Sequence, residues 1–129
     1  FHINYAARID AARRLAATLL HARGPHEIAF VPNTTCGLAC VARGIAWRPG
    51  DSVVLTNVEF PANRYPWEDA SRRHGVELIE VAQLPDGRID AEDVCDAIRD
   101  RTRVVAISHV QYASGHRADL RAIADTIHR

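Results

Sequence analysis

Residues 49–81 read PGDSVVLTNVEFPANRYPWEDASRRHGVELIEV, in which two apolar runs flank a polar, helix-forming stretch with a turn at each join. Pro49-Gly50-Asp51 turns the chain into Ser52–Thr56, a branched apolar run that predicts a buried strand. A helix is expected from Ala62 to His74, stopped by Gly75, and Val76–Val81 predicts the next strand. Strands joined through a helix run parallel, because the crossover carries the chain back to the starting edge of the sheet.

The same unit recurs on either side. Asn4 is placed to cap a helix running to about Arg23, where Ile9, Ala12, Ala16, Leu19 and Leu20 make one apolar stripe and Gly24-Pro25 ends it. Glu27–Val31 predicts a short strand, followed by Pro32-Asn33-Thr34-Thr35 and a helix bearing Leu38, Val41, Ala42 and Ile45 at helical spacing. Beyond residue 81, Pro85-Asp86-Gly87 turns the chain and Asp90 caps a helix with Val94 and Ile98. Val104–Ile107 predicts a fourth strand, and a last helix carries Leu120, Ile123, Ala124 and Ile127. Four strands alternating with helices predict an α/β fold: a parallel sheet with helices on both faces.

Composition agrees with one globular domain, at 47% hydrophobic and 25% charged residues over 129 positions. Sixteen basic residues balance sixteen acidic ones, which argues against nucleic acid or an anionic membrane as partner. No apolar run approaches the roughly 20 residues needed to span a bilayer, and no charged-then-apolar leader pattern is present, so a cytoplasmic location is expected. All sixteen basic residues are arginine, and neither lysine nor methionine occurs. The chain is therefore expected to be a piece of a longer protein. Cys36, Cys40 and Cys95 are expected to be buried free thiols, since Cys36 and Cys40 share a helix face but lack the second pair a zinc site needs.

In a parallel sheet, ligands bind beyond the carboxyl ends of the strands, which directs attention to residues 32–36, 57–64, 82–89 and 109–117. Pro32-Asn33-Thr34-Thr35 opens a helix with hydroxyls beside free backbone N–H groups, an arrangement suited to phosphate and equally to an ordinary helix cap. Residues 57–64, Asn-Val-Glu-Phe-Pro-Ala-Asn-Arg, gather an acid, an aromatic ring, an amide and a guanidinium. They either hold a flat ligand or let Phe60 and Pro61 staple the next helix while Glu59 and Arg64 stay solvated. Residues 108–115, Ser-His-Val-Gln-Tyr-Ala-Ser-Gly, make a third polar loop, whose plainer reading is a turn with His109 bonded to backbone. The glycine fingerprints of dinucleotide and P-loop sites are absent.

Taken in order, Asn33-Thr34-Thr35-Cys36-Gly37-Leu38, Glu59-Phe60-Pro61-Ala62-Asn63-Arg64-Tyr65-Pro66-Trp67 and Ser108-His109-Val110-Gln111-Tyr112-Ala113-Ser114-Gly115 resemble the class V aminotransferase family. That family includes cysteine desulfurases, selenocysteine lyases, isopenicillin N epimerase-like proteins and kynureninase. The resemblance covers nearly the whole chain, with Gly87-Arg88-Ile89-Asp90 and Asp119-Leu120 as further matches. It implies that residues 1–129 are part of a fold-type-I large domain with no second domain, in a homodimeric enzyme that uses pyridoxal 5'-phosphate on a small amino-acid substrate.

Thr34 and Thr35 match the family's turn that grips the cofactor phosphate. Phe60 stands in the column of the ring, often histidine, that covers the pyridine face, and it can stack but offers no proton. Tyr112 replaces an asparagine that bonds the cofactor's phenolic oxygen. Either its hydroxyl takes over that bond or its ring packs beside the cofactor. The aspartate facing the pyridine nitrogen, the lysine that bonds the cofactor and the arginine that clamps the substrate carboxylate are expected beyond residue 129, so no catalytic residue is assigned within the chain. Lyase, epimerase and transaminase remain open as the reaction, and the aromatic residues at 60 and 112 lean away from a desulfurase and toward the epimerase-like and uncharacterised branches that the resemblance includes. A non-catalytic α/β binding or assembly domain is the alternative.

Overall fold

The computed structural model describes residues 5–128, and the chain divides after Pro32 into two compact units. In the first, helix α1 spans Tyr5–Leu19, and the expected cap at Asn4 lies outside the described residues. The helix ends in a Schellman-type closure: Ala22 N–H reaches Ala17 O at 2.9 Å, His21 N–H reaches Thr18 O at 3.3 Å, and His21 takes a positive φ of 52°. The apolar stripe expected to pack is open instead, with Leu19 79% and Leu20 67% exposed and only Ala17 buried.

The strand expected at 27–31 does not form. Pro25–Glu27 is a 3-10 turn, and the Glu27 carboxylate accepts the Arg23 N–H at 2.9 Å. Residues 28–31 follow with no ladder partner among the described residues. A strand exists by pairing, and branched side chains alone do not create one. Phe30 and Val31 are correspondingly exposed, and the Arg13 guanidinium lies 5.9 Å from the Phe30 ring centroid.

The second unit is a three-stranded parallel sheet. Strand β1 is Ser52–Thr56, β2 is Glu77–Val81 and β3 is Thr102–Ala106, in the order β2-β1-β3. Ser52 pairs with Glu77 and Thr56 with Val81 on one side, while Val53 pairs with Val104 and Leu55 with Ala106 on the other. Every residue of β1 is buried, as a central strand covered on two faces requires.

Helices α2 (Thr34–Gly44) and α3 (Tyr65–His74) cover one face, and α4 (Ala91–Asp96) and α5 (Leu120–Ile127) the other. Alternation along β1 divides the core between them. Val53 and Leu55 pack with Ala42, Trp67 and Ala70, whereas Val54 packs with Val81, Ile89, Val94 and Ile123. The expected α/β architecture with helices on both faces is present, with three strands where four were expected.

Local chemistry explains most element ends. Asn33, Asp90 and Asp119 cap α2, α4 and α5 through their side-chain oxygens, accepting N–H groups at 2.8, 2.9 and 3.1 Å. Gly75 closes α3 with φ 67°, returning its N–H to Ser71 O at 2.9 Å. Pro61–Asn63 forms a separate 3-10 turn, so α3 begins at Tyr65 and not at Ala62. At the amino end of β1, buried Asp51 accepts the Arg48 N–H at 2.8 Å and the Arg101 guanidinium at 2.9 Å. The Arg101 guanidinium holds the Asp51 carboxyl below the ordinary carboxylate range.

The cysteines are free, but Cys36 and Cys40 are exposed and Cys95 is half-buried. On α2, Cys36 and Cys40 each lie about 200° around the helix from the residue two places on, Leu38 and Ala42, which face the core.

Candidate functional site

The carboxyl end of β1 leads directly into a buried acid. Glu59 is 6% exposed, and its carboxylate accepts five hydrogen bonds from three stretches of chain. Its Oε1 takes the Thr56 hydroxyl at 3.1 Å, the Ser108 N–H at 2.9 Å and the Gln111 amide at 2.9 Å. Its Oε2 takes the Asn63 amide at 2.9 Å and the Ser108 hydroxyl at 2.6 Å. Burial pushes the Glu59 carboxyl up, and the Ser108, Asn63 and Gln111 donors outweigh it, holding the group below its ordinary value. Glu59 is therefore an anion at neutral pH, fully engaged inside the protein.

The loop after β3 is folded around the same acid. His109 O accepts the Ala118 N–H at 2.9 Å, Gln111 N–H reaches His116 O at 2.9 Å, and Val110 bridges Arg117. Residues 109–118 thus form a small antiparallel loop, with Gly115 at φ 70° returning its N–H to Gln111 O at 2.8 Å. Gln111 is 1% exposed, and its Oε1 is buried with no hydrogen-bond partner among the described residues. The histidine that bonds backbone here is His116, whose Nε2 lies 3.1 Å from Ile89 O, while His109 is exposed.

Outward from this polar core stand the two rings singled out in the sequence. Phe60 is 50% and Tyr112 64% exposed, and they meet edge to face with centroids 5.2 Å apart at 81°. They come from loops that are 52 residues apart in the chain and share only the Glu59 network. The guanidinium expected beside them is engaged elsewhere: Arg64 pairs with Glu68 at 2.6 Å and Glu80 at 2.7 Å, which raise its pKa. Arg64 is thus half-buried and engaged in ion pairs on α3 and β2.

At the start of α2, Asn33 Oδ1 accepts the Cys36 N–H, so the cap and the anion-suited turn coexist. Thr34 and Thr35 are the first two helical residues, their N–H groups precede the first intrahelical bond, and both side chains are exposed. The two threonines open on different hollows. Thr34 lines a cavity of about 410 Å³ with Leu38, Asn63, Trp67 and the end of β3 through Ser108. Thr35 lines one of about 290 Å³ between α2 and α3, with Arg43, Tyr65 and Arg73 among its walls. Thr34 therefore shares a cavity with Asn63 and Ser108, two donors to Glu59.

The role of Glu59 was not read from the sequence, nor were those of Ser108 and Gln111. One signal was present: a single carboxylate between Val58 and Phe60, three residues past a strand with an apolar centre, is a costly residue to place unless partners await it.

Comparison with known proteins agrees with this arrangement. The family model for aminotransferase class V matches residues 1–129. A cysteine desulfurase of Salmonella newport is 34% identical over 112 residues, which are 83% of this chain and 27% of that protein. The chain thus spans about a quarter of the length of the curated relatives it matches. Among solved structures, it is similar to a cysteine desulfurase of Escherichia coli, with a TM-score of 0.88 and 25% identity over 95% of this chain and 32% of that one. It is also similar to an aspartate aminotransferase variant of Thermus thermophilus, with a TM-score of 0.68 and 25% identity over 88% of this chain and 33% of that one. With the family model matching from end to end, this chain belongs to the aminotransferase class V family.

Proposed function

We propose that residues 1–129 form part of the large domain of a pyridoxal 5'-phosphate enzyme acting on an amino acid, and that they hold the cofactor's phosphate and one side of its ring. The observation that carries the reading is that Thr34 lines one cavity with Asn63 and Ser108, whose bonds to Glu59 tie them to the loops that bring Phe60 and Tyr112 into contact. The donor set fits a dianion. Two hydroxyls and two unpaired N–H groups stand at the positive end of an eleven-residue helix, with the flanking cap already satisfied by Asn33. Thr34 and Thr35 would bind the phosphate, and Phe60 and Tyr112 would offer an apolar, water-excluding wall to the pyridine ring.

When bound, pyridoxal phosphate supplies an electron sink for carbanion chemistry at the amino-acid substrate. No lysine occurs in these 129 residues, so the group that bonds the cofactor lies outside them. Phe60 neither donates nor accepts a proton, so any proton transfer at that side of the ring belongs to another residue. The cysteine desulfurase relatives favour sulfur removal from cysteine as the activity of the whole protein, and the proposal takes that protein to be a cytoplasmic homodimer. Among the described residues no helix is long and apolar enough to cross a membrane.

The test is spectroscopic. Full-length protein mixed with pyridoxal phosphate is expected to develop a visible absorbance band that hydride reduction converts to a fixed adduct. A full-length protein that stays colourless with added cofactor contradicts the proposal.

A further inference from the structure

We propose that Glu59 is the positioning residue of the aromatic wall, an internal anion that fixes Phe60 and Tyr112 against each other from beneath. The inference rests on the cofactor reading above and gives a role in that site to a residue to which the resemblance assigned none. Glu59 is 6% exposed and the next residue, Phe60, 50%; Gln111 is 1% exposed and the next residue, Tyr112, 64%. Each ring is thus the outward neighbour of an inward polar side chain, and those two side chains bond each other at 2.9 Å. The edge-to-face contact outside is the counterpart of the hydrogen bond inside.

An acid suits this post better than an amide. All five groups aimed at residue 59 donate: two hydroxyls, one backbone N–H and two amide NH₂ groups. A carboxylate accepts on both oxygens, whereas a glutamine would set its own NH₂ against part of this set. The Ser108 hydroxyl can rotate to accept, but the Ser108 N–H cannot, and Asn63 already uses Oδ1 to accept the Trp67 indole N–H at 3.3 Å. The misfit lands on the loops that carry the rings.

The experiment measures pyridoxal-phosphate affinity of the full-length protein by titration for wild type, Glu59→Gln, the Phe60→Ala/Tyr112→Ala pair, and all three changes together. If Glu59 acts through the rings, Glu59→Gln weakens binding about tenfold in the wild-type background and less than about twofold once the rings are gone. Equal weakening in both backgrounds, or none in either, overturns the assignment while leaving the cofactor reading intact. A wild-type protein that does not bind the cofactor overturns both. If Glu59→Gln does not fold, Ser108→Ala takes its place in the same cycle, since it removes the shortest of the five bonds and keeps the acid. The same non-additive pattern is expected and the same additive one refutes it.

Discussion

Glu59 and its five donors set the behaviour of the site in acid. Its carboxyl is held below its ordinary value in the folded protein, so the bonds it accepts stabilise the fold fully above the unfolded carboxyl pKa, about 4.3. That stabilisation is lost as pH falls through the lower folded value. The melting-temperature gap between full-length wild type and Glu59→Gln is therefore expected to be widest near neutrality and to narrow on acidification. A gap that widens as pH falls would show that the acid is not the ionised acceptor described. At this scale Thr34, Thr35, Phe60 and Tyr112 are the residues the resemblance proposes against the cofactor, and the structure leaves all four exposed. Glu59 was not legible, because its burial depends on Ser108 and Gln111, 49 and 52 residues away, which no local pattern connects to it.

Elements were legible where their ends carry their own chemistry. Asp90 and Gly75 act at the ends the sequence assigned to them, as cap and stop. Gly75 gives a clean measurement, since a Cβ built there meets nothing within 4 Å and the cost of Gly75→Ala is conformational alone. With φ at 67°, that cost is expected to be about 1–2 kcal/mol, read as a lower denaturant midpoint of the full-length protein with an unchanged slope. An unchanged midpoint would mean that α3 does not need the left-handed closure. The strand expected at 27–31 shows the opposite case. Its apolar pattern suits a strand, but pairing is a property of two segments, and among the described residues no second one meets it. The open stripe of α1 has the same lesson: periodicity identified the helix and not what covers it.

For the molecule, the two-faced core around β1 is the supporting frame, and Trp67 is its largest buried side chain, at 1% exposure. Trp67 packs under β1 and donates its indole N–H to Asn63, so it joins the core to the Glu59 network. Trp67→Ala is expected to cost about 3–5 kcal/mol of unfolding free energy in the full-length protein, measured by denaturant titration. A loss well under 1 kcal/mol would contradict the placement of this residue in the core. The α/β class and the two covered faces were legible because short apolar runs and helical spacing alternate along the chain. The family followed from three loops in order. The proposal that these loops hold the cofactor phosphate is tested by comparing the affinities of the full-length protein for pyridoxal phosphate and for pyridoxal, before and after Thr34→Val with Thr35→Val. Each charged hydrogen bond lost is worth about 1.5–3 kcal/mol, so the double change is expected to weaken phosphate-bearing cofactor by roughly 100-fold or more and pyridoxal hardly at all. An unchanged preference for the phosphorylated form would place the phosphate site elsewhere and contradict the account.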